Sequence, residues 1–323
     1  MDEEQDVRIE SALQDFLRLQ RDLDLPDELV THELLWQKND HRSHIVLRLD
    51  CGDKSYVLKR VFGADNSDQL IQMAQAQVDA SNAMGNARRM RAPKVHYVSE
   101  DGAVLLMDHV TGNTLDTLLY RGRDPKSLLK RSGRWLATFH RVMDRRKRPF
   151  RPDQMVAHIE QLARQIEDGS RRVVAPKRFL KCASQIPERA AQFAGQKTVV
   201  ARRHGDMNLR NLIFAQDGLY GIDFHPPNQL SVGFDIVRLL LDFAEIHQDN
   251  TALKSGAFLL DDVVSSFFEG YRLIKPDDPG FRFLQPVRLL LDWCAIPVDP
   301  VDRSWRQQDR WENMEILIKK GFE

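Results

Sequence analysis

Apolar residues at Val7, Ala12, Leu13, Phe16 and Leu17 recur at roughly helical spacing between charged neighbours, so residues 4 to 23 are expected to form an amphipathic helix ending before Pro26. The period then changes. ELLWQ, SHIVLRLD and SYVLKRVF approach strict alternation, and the last two flank CGDK, so they are expected to pair as a hairpin. Residues 68 to 84 contain neither Gly nor Pro and read as one helix, after which KVHYVSEDGAVLLMDHV supplies two strands around Asp101-Gly102. Three strands, a helix and two strands make a small antiparallel sheet carrying one helix, the N-terminal unit expected over residues 1 to 108.

The turn-forming run TGNT follows Val110, and a hinge is expected at residues 109 to 113. The remainder, 114 to 323, reads as mainly helical, with helices near 126 to 144, 152 to 167, 176 to 194, 233 to 246, 257 to 272 and 281 to 294. One hairpin interrupts it, where LIF and LYGI flank AQDG. The expected class is α+β, a small sheet-bearing unit followed by a larger helical one.

Composition narrows the partners. The chain has 323 residues, 42% hydrophobic and 29% charged, enough to bury a sizeable core. Lys plus Arg equals Asp plus Glu at 47 each, so no overall field points to nucleic acid, and none is expected as a partner. The basic run DRRKRPFRP, residues 144 to 152, lacks interleaved aromatics and is expected to be a solvated loop. No apolar run approaches a membrane span, and the acidic start MDEEQDVRIE lacks the pattern of a signal peptide. Cys51, Cys182 and Cys294 are far apart with no CxxC pair, which suits a reduced, cytoplasmic protein.

The candidate chemistry lies in RRHGDMNLRNLIFAQDGLYGIDF, residues 202 to 224. A turn centred near Asp217 places Asn211 across from Asp223 at the open end of the hairpin, where paired Cα atoms lie about 4.5 to 5.5 Å apart. Two hard oxygen donors at that separation suit a Mg²⁺ ion that binds phosphate oxygens. Asp206, in a polar and Gly-broken loop just upstream, brings a third carboxylate suited to orienting a hydroxyl and accepting its proton. Phosphoryl transfer requires this set of groups.

These residues resemble the aminoglycoside phosphotransferase and choline kinase group of the protein-kinase-like superfamily. The likeness rests on His204-Gly205-Asp206, with Asn211 five residues after the aspartate, and on Ile222-Asp223-Phe224. VLLMDHVTGNTL is similar to the family's hinge, YVLKR to its nucleotide-lysine strand, GRWLATFHRV to a helix ending in a histidine, and VGFDIVRLL to the segment whose aspartate braces the catalytic loop. The resemblance implies a two-lobed kinase-like fold in which ATP and Mg²⁺ serve transfer to a hydroxyl of a small molecule. It implies that Asp206 is the catalytic base, that Asn211 and Asp223 hold magnesium, and that Lys59 pairs with the α and β phosphates. It also implies that backbone groups near Asp108 to Val110 hold the adenine and that Asp235 is structural; His140 and His204 are lone histidines, more often hydrogen-bonded core residues than catalysts, and are expected to be structural too.

The chain departs from that pattern in three places. The turn KNDHRS replaces a Gly-rich one, leaving backbone amides with Ser43 or Arg42 to cradle phosphate. No Glu occurs between Glu33 and Glu100, so Asp79 is expected to partner Lys59, with Gln75 or Gln77 as neutral alternatives. Arg210 either meets the γ-phosphate or an acidic substrate, or faces outward. Asp261, Asp262, Glu269, Asp277 and Asp278 either line an acid-rich pocket or are helix-surface charges. A protein kinase is disfavoured by the short segment after Asp223, and a non-catalytic scaffold by the intact Asp206, Asn211, Asp223 and Lys59.

Overall fold

The N-terminal amphipathic segment forms α1 (Glu3–Asp22) and turns Ala12, Phe16 and Leu19 inward. The structure, a computed structural model, describes residues 3–26, 30–38, 43–63, 67–226 and 228–322. After α1 come β1 (Val30–Lys38), β2 (His44–Cys51), β3 (Lys54–Val61), α2 (Ser67–Met84), β4 (Met90–Arg91), β5 (Val95–Val98), β6 (Val104–Asp108) and β7 (Gly112–Thr114). The next elements are α3 (Leu115–Tyr120), α4 (Pro125–Val142), β8 (Arg146–Pro149), α5 (Asp153–Glu167), α6 (Pro176–Ala183), α7 (Ile186–Phe193) and β9 (Lys197–Arg202). The hairpin strands β10 (Leu212–Ala215) and β11 (Leu219–Gly221) follow, then β12 (Gln229–Ser231), α8 (Gly233–Ile246), α9 (Asp261–Gly270), α10 (Pro279–Trp293) and α11 (Trp305–Phe322). The class is α+β, with an antiparallel sheet in the N-terminal region and a mostly helical C-terminal part.

The chain divides into two compact units, residues 1–113 with 213–227, and residues 114–212 with 228–323. In the first, the strands run β1-β2-β3-β6-β5, every neighbour antiparallel. Alternation does the sorting: Ile45, Leu47, Leu49 and Cys51 of β2 are buried against Ala12 and Phe16 of α1. Val57, Leu105 and Met107 form a core on the other face. The chain turns into β6 at Gly102, whose φ is +69° and where a Cβ would lie 2.5 Å from the amide of Ile71, so only glycine fits against α2. The hairpin β10–β11 joins β4 in a second small sheet, Leu219 pairing with Met90 in parallel.

In the second unit, the helices start where the sequence supplies caps. Asp124 accepts from the amides of Lys126 and Ser127 to open α4, and Asp278 does the same for α10, each followed by a proline in the first turn. Three features differ from the expectations above. The segment 176 to 194 is two helices, broken before Pro187, which cannot donate to a continuing ladder. Part of the basic run is a strand: β8 pairs with β9 while its side chains stay exposed, a charged edge of the kind that resists further pairing. The reading also stops short of α11, whose Trp311, Met314, Leu317 and Ile318 are buried behind a polar first half that masks the period. Among the described residues no helix is long and apolar enough to cross a membrane.

Candidate active site

β9 leads into the loop carrying His204, Asp206, Asn208 and Asn211. The backbone turns at Gly205, where φ is +93°, and a short 3₁₀ turn, Leu209–Asn211, closes the segment. α8 supports the loop with one face, because Asp235, Arg238 and Asp242 stand at i, i+3 and i+7 on a helix whose other residues, Glu245 apart, are apolar. Asp235, 1% exposed, accepts from the amides of His204 at 2.7 Å and Gly205 at 3.1 Å and shares a hydrogen bond of 3.0 Å with His140 Nε2. Burial opposes its charge, yet the bond and charge of His140, with His204 and Arg203 nearby, outweigh burial and hold its carboxyl down to about 2. His140 is fully buried, its Nδ1 2.9 Å from the Tyr271 hydroxyl, and His204 is buried beside Trp135 and Phe139. Asp242 accepts from the Leu209 amide at 3.0 Å.

Asp206 is fixed by three side chains. Arg238 Nε donates to Oδ1 at 3.2 Å, Asn208 Nδ2 donates to Oδ2 at 2.9 Å, and Asn211 Nδ2 donates to the Asp206 carbonyl at 2.8 Å. Its side chain remains 33% exposed, so a carboxylate of set orientation still faces solvent, the condition for taking a proton from a bound hydroxyl. Asn211 is 6% exposed, and bonding through Nδ2 leaves its amide oxygen as the hard donor. Sequence reading missed Asn208, Arg238 and Asp242. The signal was present as charged positions every three or four residues in GFDIVRLLLDFAEI.

The same stripe continues to Glu245, fully buried, where Arg310 of α11 contacts it. Burial, with Asp292 and Asp242 alongside, pushes Glu245 well above the ordinary glutamate range, against the contact and charge of Arg310. The folded chain keeps the Glu245 proton to higher pH than the unfolded chain, which releases it near 4.5, so stability falls as pH rises from there toward the raised folded value, by up to about 1.4 kcal/mol per pH unit. Replacing Glu245→Gln removes the titration. Thermal melts from pH 5 to 8 are expected to fall less steeply for the variant than for the parent; parallel curves would show that Glu245 is ionised throughout.

In the first unit, Lys59 lies opposite Leu105 in the sheet and donates to Asp223 Oδ1 at 3.1 Å. Asp223 has φ of +62°, a costly conformation for a residue with a Cβ, persisting where its surroundings hold it. Both line a cavity of about 40 Å³ with Gln77 and Phe224. Gln77 is 2% exposed and its Nε2 is buried without a hydrogen-bond partner. Asp79, half-buried, accepts from Gln75 at 2.7 Å; two positions further along a helix puts it on a different face from Gln77. α2 therefore presents an amide to the Lys59 cavity.

The Asp108 amide donates to Lys94 O and its carboxylate meets His96 at 2.7 Å, whereas the amide and carbonyl of Val110 make no backbone hydrogen bond among the described residues. Ser43 is half-buried and its carbonyl accepts from the Phe62 amide at 2.7 Å. Most of the turn KNDHRS, including Arg42, lies outside the described residues. Arg210 is exposed on the 3₁₀ turn, its amide donating to Asn208 Oδ1. Of the acids considered for a pocket, Asp262 and Glu269 pair with Lys126 and Lys130 and Asp278 caps α10, whereas Asp261, paired with Lys254, lines a cavity of about 570 Å³.

Residues 38–272 match the family described as the phosphotransferase enzyme family. No curated protein matches the chain by sequence. Solved structures share the fold at low identity. A spectinomycin phosphotransferase in complex with ADP and spectinomycin is 12% identical with a TM-score of 0.54, covering 95% of this chain and 97% of its own. A choline/ethanolamine kinase family protein from Mesorhizobium loti is 14% identical with a TM-score of 0.55, covering 89% and 88%. An amicoumacin kinase in complex with AMP-PNP, Ca²⁺ and Ami is 14% identical with a TM-score of 0.57, covering 99% and 96%.

Proposed function

The chain belongs to the phosphotransferase enzyme family, and from that premise we propose that it is a small-molecule kinase transferring the γ-phosphate of Mg-ATP to an alcohol. The observation that carries this reading is the Asp206 carboxylate, oriented by Arg238 and Asn208 yet open to solvent. Asp206 aligns the hydroxyl and accepts its proton as the oxygen bonds to phosphorus and the bond to the ADP oxygen breaks. Lys59 moves from Asp223 to the α and β phosphates, the Val110 backbone meets the adenine, and Arg210 and Ser43 assist at the phosphates.

Asn211 and Asp223 would hold magnesium. The donors fit a hard cation, since each offers oxygen and Asp223 has a side chain 52% exposed. When bound, the ion neutralises charge on the β and γ phosphates.

The test is transfer of labelled phosphate from Mg-ATP into the small-molecule fraction of a cell extract. Label there, lost with Asp206→Asn, supports the reading; label only in protein bands would replace it with protein phosphorylation. The Lys59→Met variant is expected to raise KM for ATP by about tenfold to a hundredfold, the worth of a hydrogen bond to a charged group. Steady-state kinetics with varied ATP would measure it, and an unchanged KM would remove Lys59 from the nucleotide site.

A further inference from the structure

Arg310 lies far along the chain from the catalytic loop, yet a chain of buried charges connects them. From α11 it faces Asp242 at 3.5 Å and Asp292 at 3.7 Å, and contacts Glu245. From α8, Arg238 faces the same two aspartates at 3.8 Å each, while its Nε holds Asp206 at 3.2 Å. Arg288 grips Asp292 from within α10, its Nε at 2.7 Å. Two guanidiniums thus share two carboxylates, and only Arg238 also reaches the loop.

The cluster has no guanidinium to spare. Asp206, Asp242, Asp292 and Glu245 face Arg238, Arg288 and Arg310, and burial favours the neutral form of Glu245. Asp242 and Asp292 are 6% and 5% exposed, whereas Asp206 has water available at a third of its side-chain surface. An uncompensated buried carboxylate is far costlier than a solvated one. If Arg310 lost its charge, the two buried aspartates would therefore draw Arg238 inward, and Asp206 would be the acid left without it. Room for such a shift exists within the cluster, since Arg238 Nη1, Arg310 Nε and Glu245 Oε1 are buried without hydrogen-bond partners.

We propose that Arg310 is a positioning residue, through which the C-terminal helix α11 sets the orientation of Asp206 by way of Arg238. The inference rests on the reading of Asp206 given above. α11 has its own anchorage, with Trp311 5.7 Å from Trp293 between ring centroids and Met314, Leu317 and Ile318 buried, so losing one guanidinium leaves the helix seated.

The direct test is a crystal structure of Arg310→Met beside that of the parent chain. The expected result is an Arg238 side chain turned toward Asp242 and Asp292 and out of contact with Asp206; an Arg238–Asp206 contact unchanged at about 3.2 Å overturns the inference. Kinetics give a second arm, with Mg-ATP hydrolysis, transfer to water, as the probe. Arg310→Met is expected to lower kcat about tenfold at unchanged KM for ATP, within the coupling seen in one ion-pair network. Arg310→Lys, which keeps the charge and serves if the methionine variant does not fold, is expected to lose less.

Introduced into Asp206→Asn, the Arg310 change should cost nothing further, because its effect runs through Asp206. The same loss on both backgrounds would make Arg310 merely structural. Hydrolysis unaffected by Asp206→Asn alone would remove the catalytic reading of Asp206, and the positioning role with it, whatever the crystal structure showed.

Discussion

Asp206→Asn is expected to lower kcat for phosphoryl transfer by about 10² to 10⁴ while nucleotide affinity stays within about twofold, the range a positioned proton acceptor contributes. The amide keeps the size of the carboxylate and its oxygen can still accept from Arg238 or Asn208, so the loop should hold its shape. What it loses is the capacity to accept the proton of the attacking hydroxyl. Nucleotide binding should be spared, because Lys59 and Val110 belong to the other compact unit, while Arg210 and Asn211 bond to Asn208 and to the Asp206 carbonyl, which the substitution leaves in place. Isothermal titration with a non-hydrolysable ATP analogue, run beside the transfer assay, separates the two terms. Equal losses in binding and turnover would mean that the substitution had disturbed the fold.

The second large effect is on stability. Asp235→Asn removes a charge that serves two backbone amides and His140 at once, and an asparagine offers one oxygen where three donors converge. Breaking a buried hydrogen-bonded charge by removing one partner typically costs about 3 to 5 kcal/mol. A loss of that order is expected in urea melts at pH 7, with transfer activity falling as the His204–Gly205 backbone loosens.

The pH dependence carries its own sign. The Asp235 carboxyl is held down to about 2 from its ordinary 3.8, so its contribution is complete above about pH 4 and disappears as pH falls through 2. The parent should therefore lose about 2 kcal/mol over that interval that the variant does not. Parallel acid titrations of the two would assign the bracing to contacts that do not depend on charge.

Much of the first unit was legible because its elements are set by local periodicity. Alternation in SHIVLRLD became β2, with Ile45, Leu47 and Leu49 buried, and residues 68 to 84 fall within α2. Local rules also misled. Residues 144 to 152 carry a charge pattern that suits a loop, and only pairing with β9 makes part of them a strand.

The site divides in the same way. Sequence by itself determined which residues stand where, Asp206, Asn211 and Asp223 at their spacing and Lys59 in an apolar strand, and these are the residue types the proposed phosphoryl transfer draws on. Only the tertiary structure decided which groups hold these residues in place. That α8 presents Asp235, Arg238 and Asp242 to the loop, that Gln77 faces the Lys59 cavity, and that Arg310 on α11 closes the charge cluster follow from how helices distant in sequence pack. The physical reason is that burial makes a charge depend on its neighbours. The energy of Arg238 is fixed by Asp206, Asp242 and Asp292 together, and no local stretch of sequence contains all three.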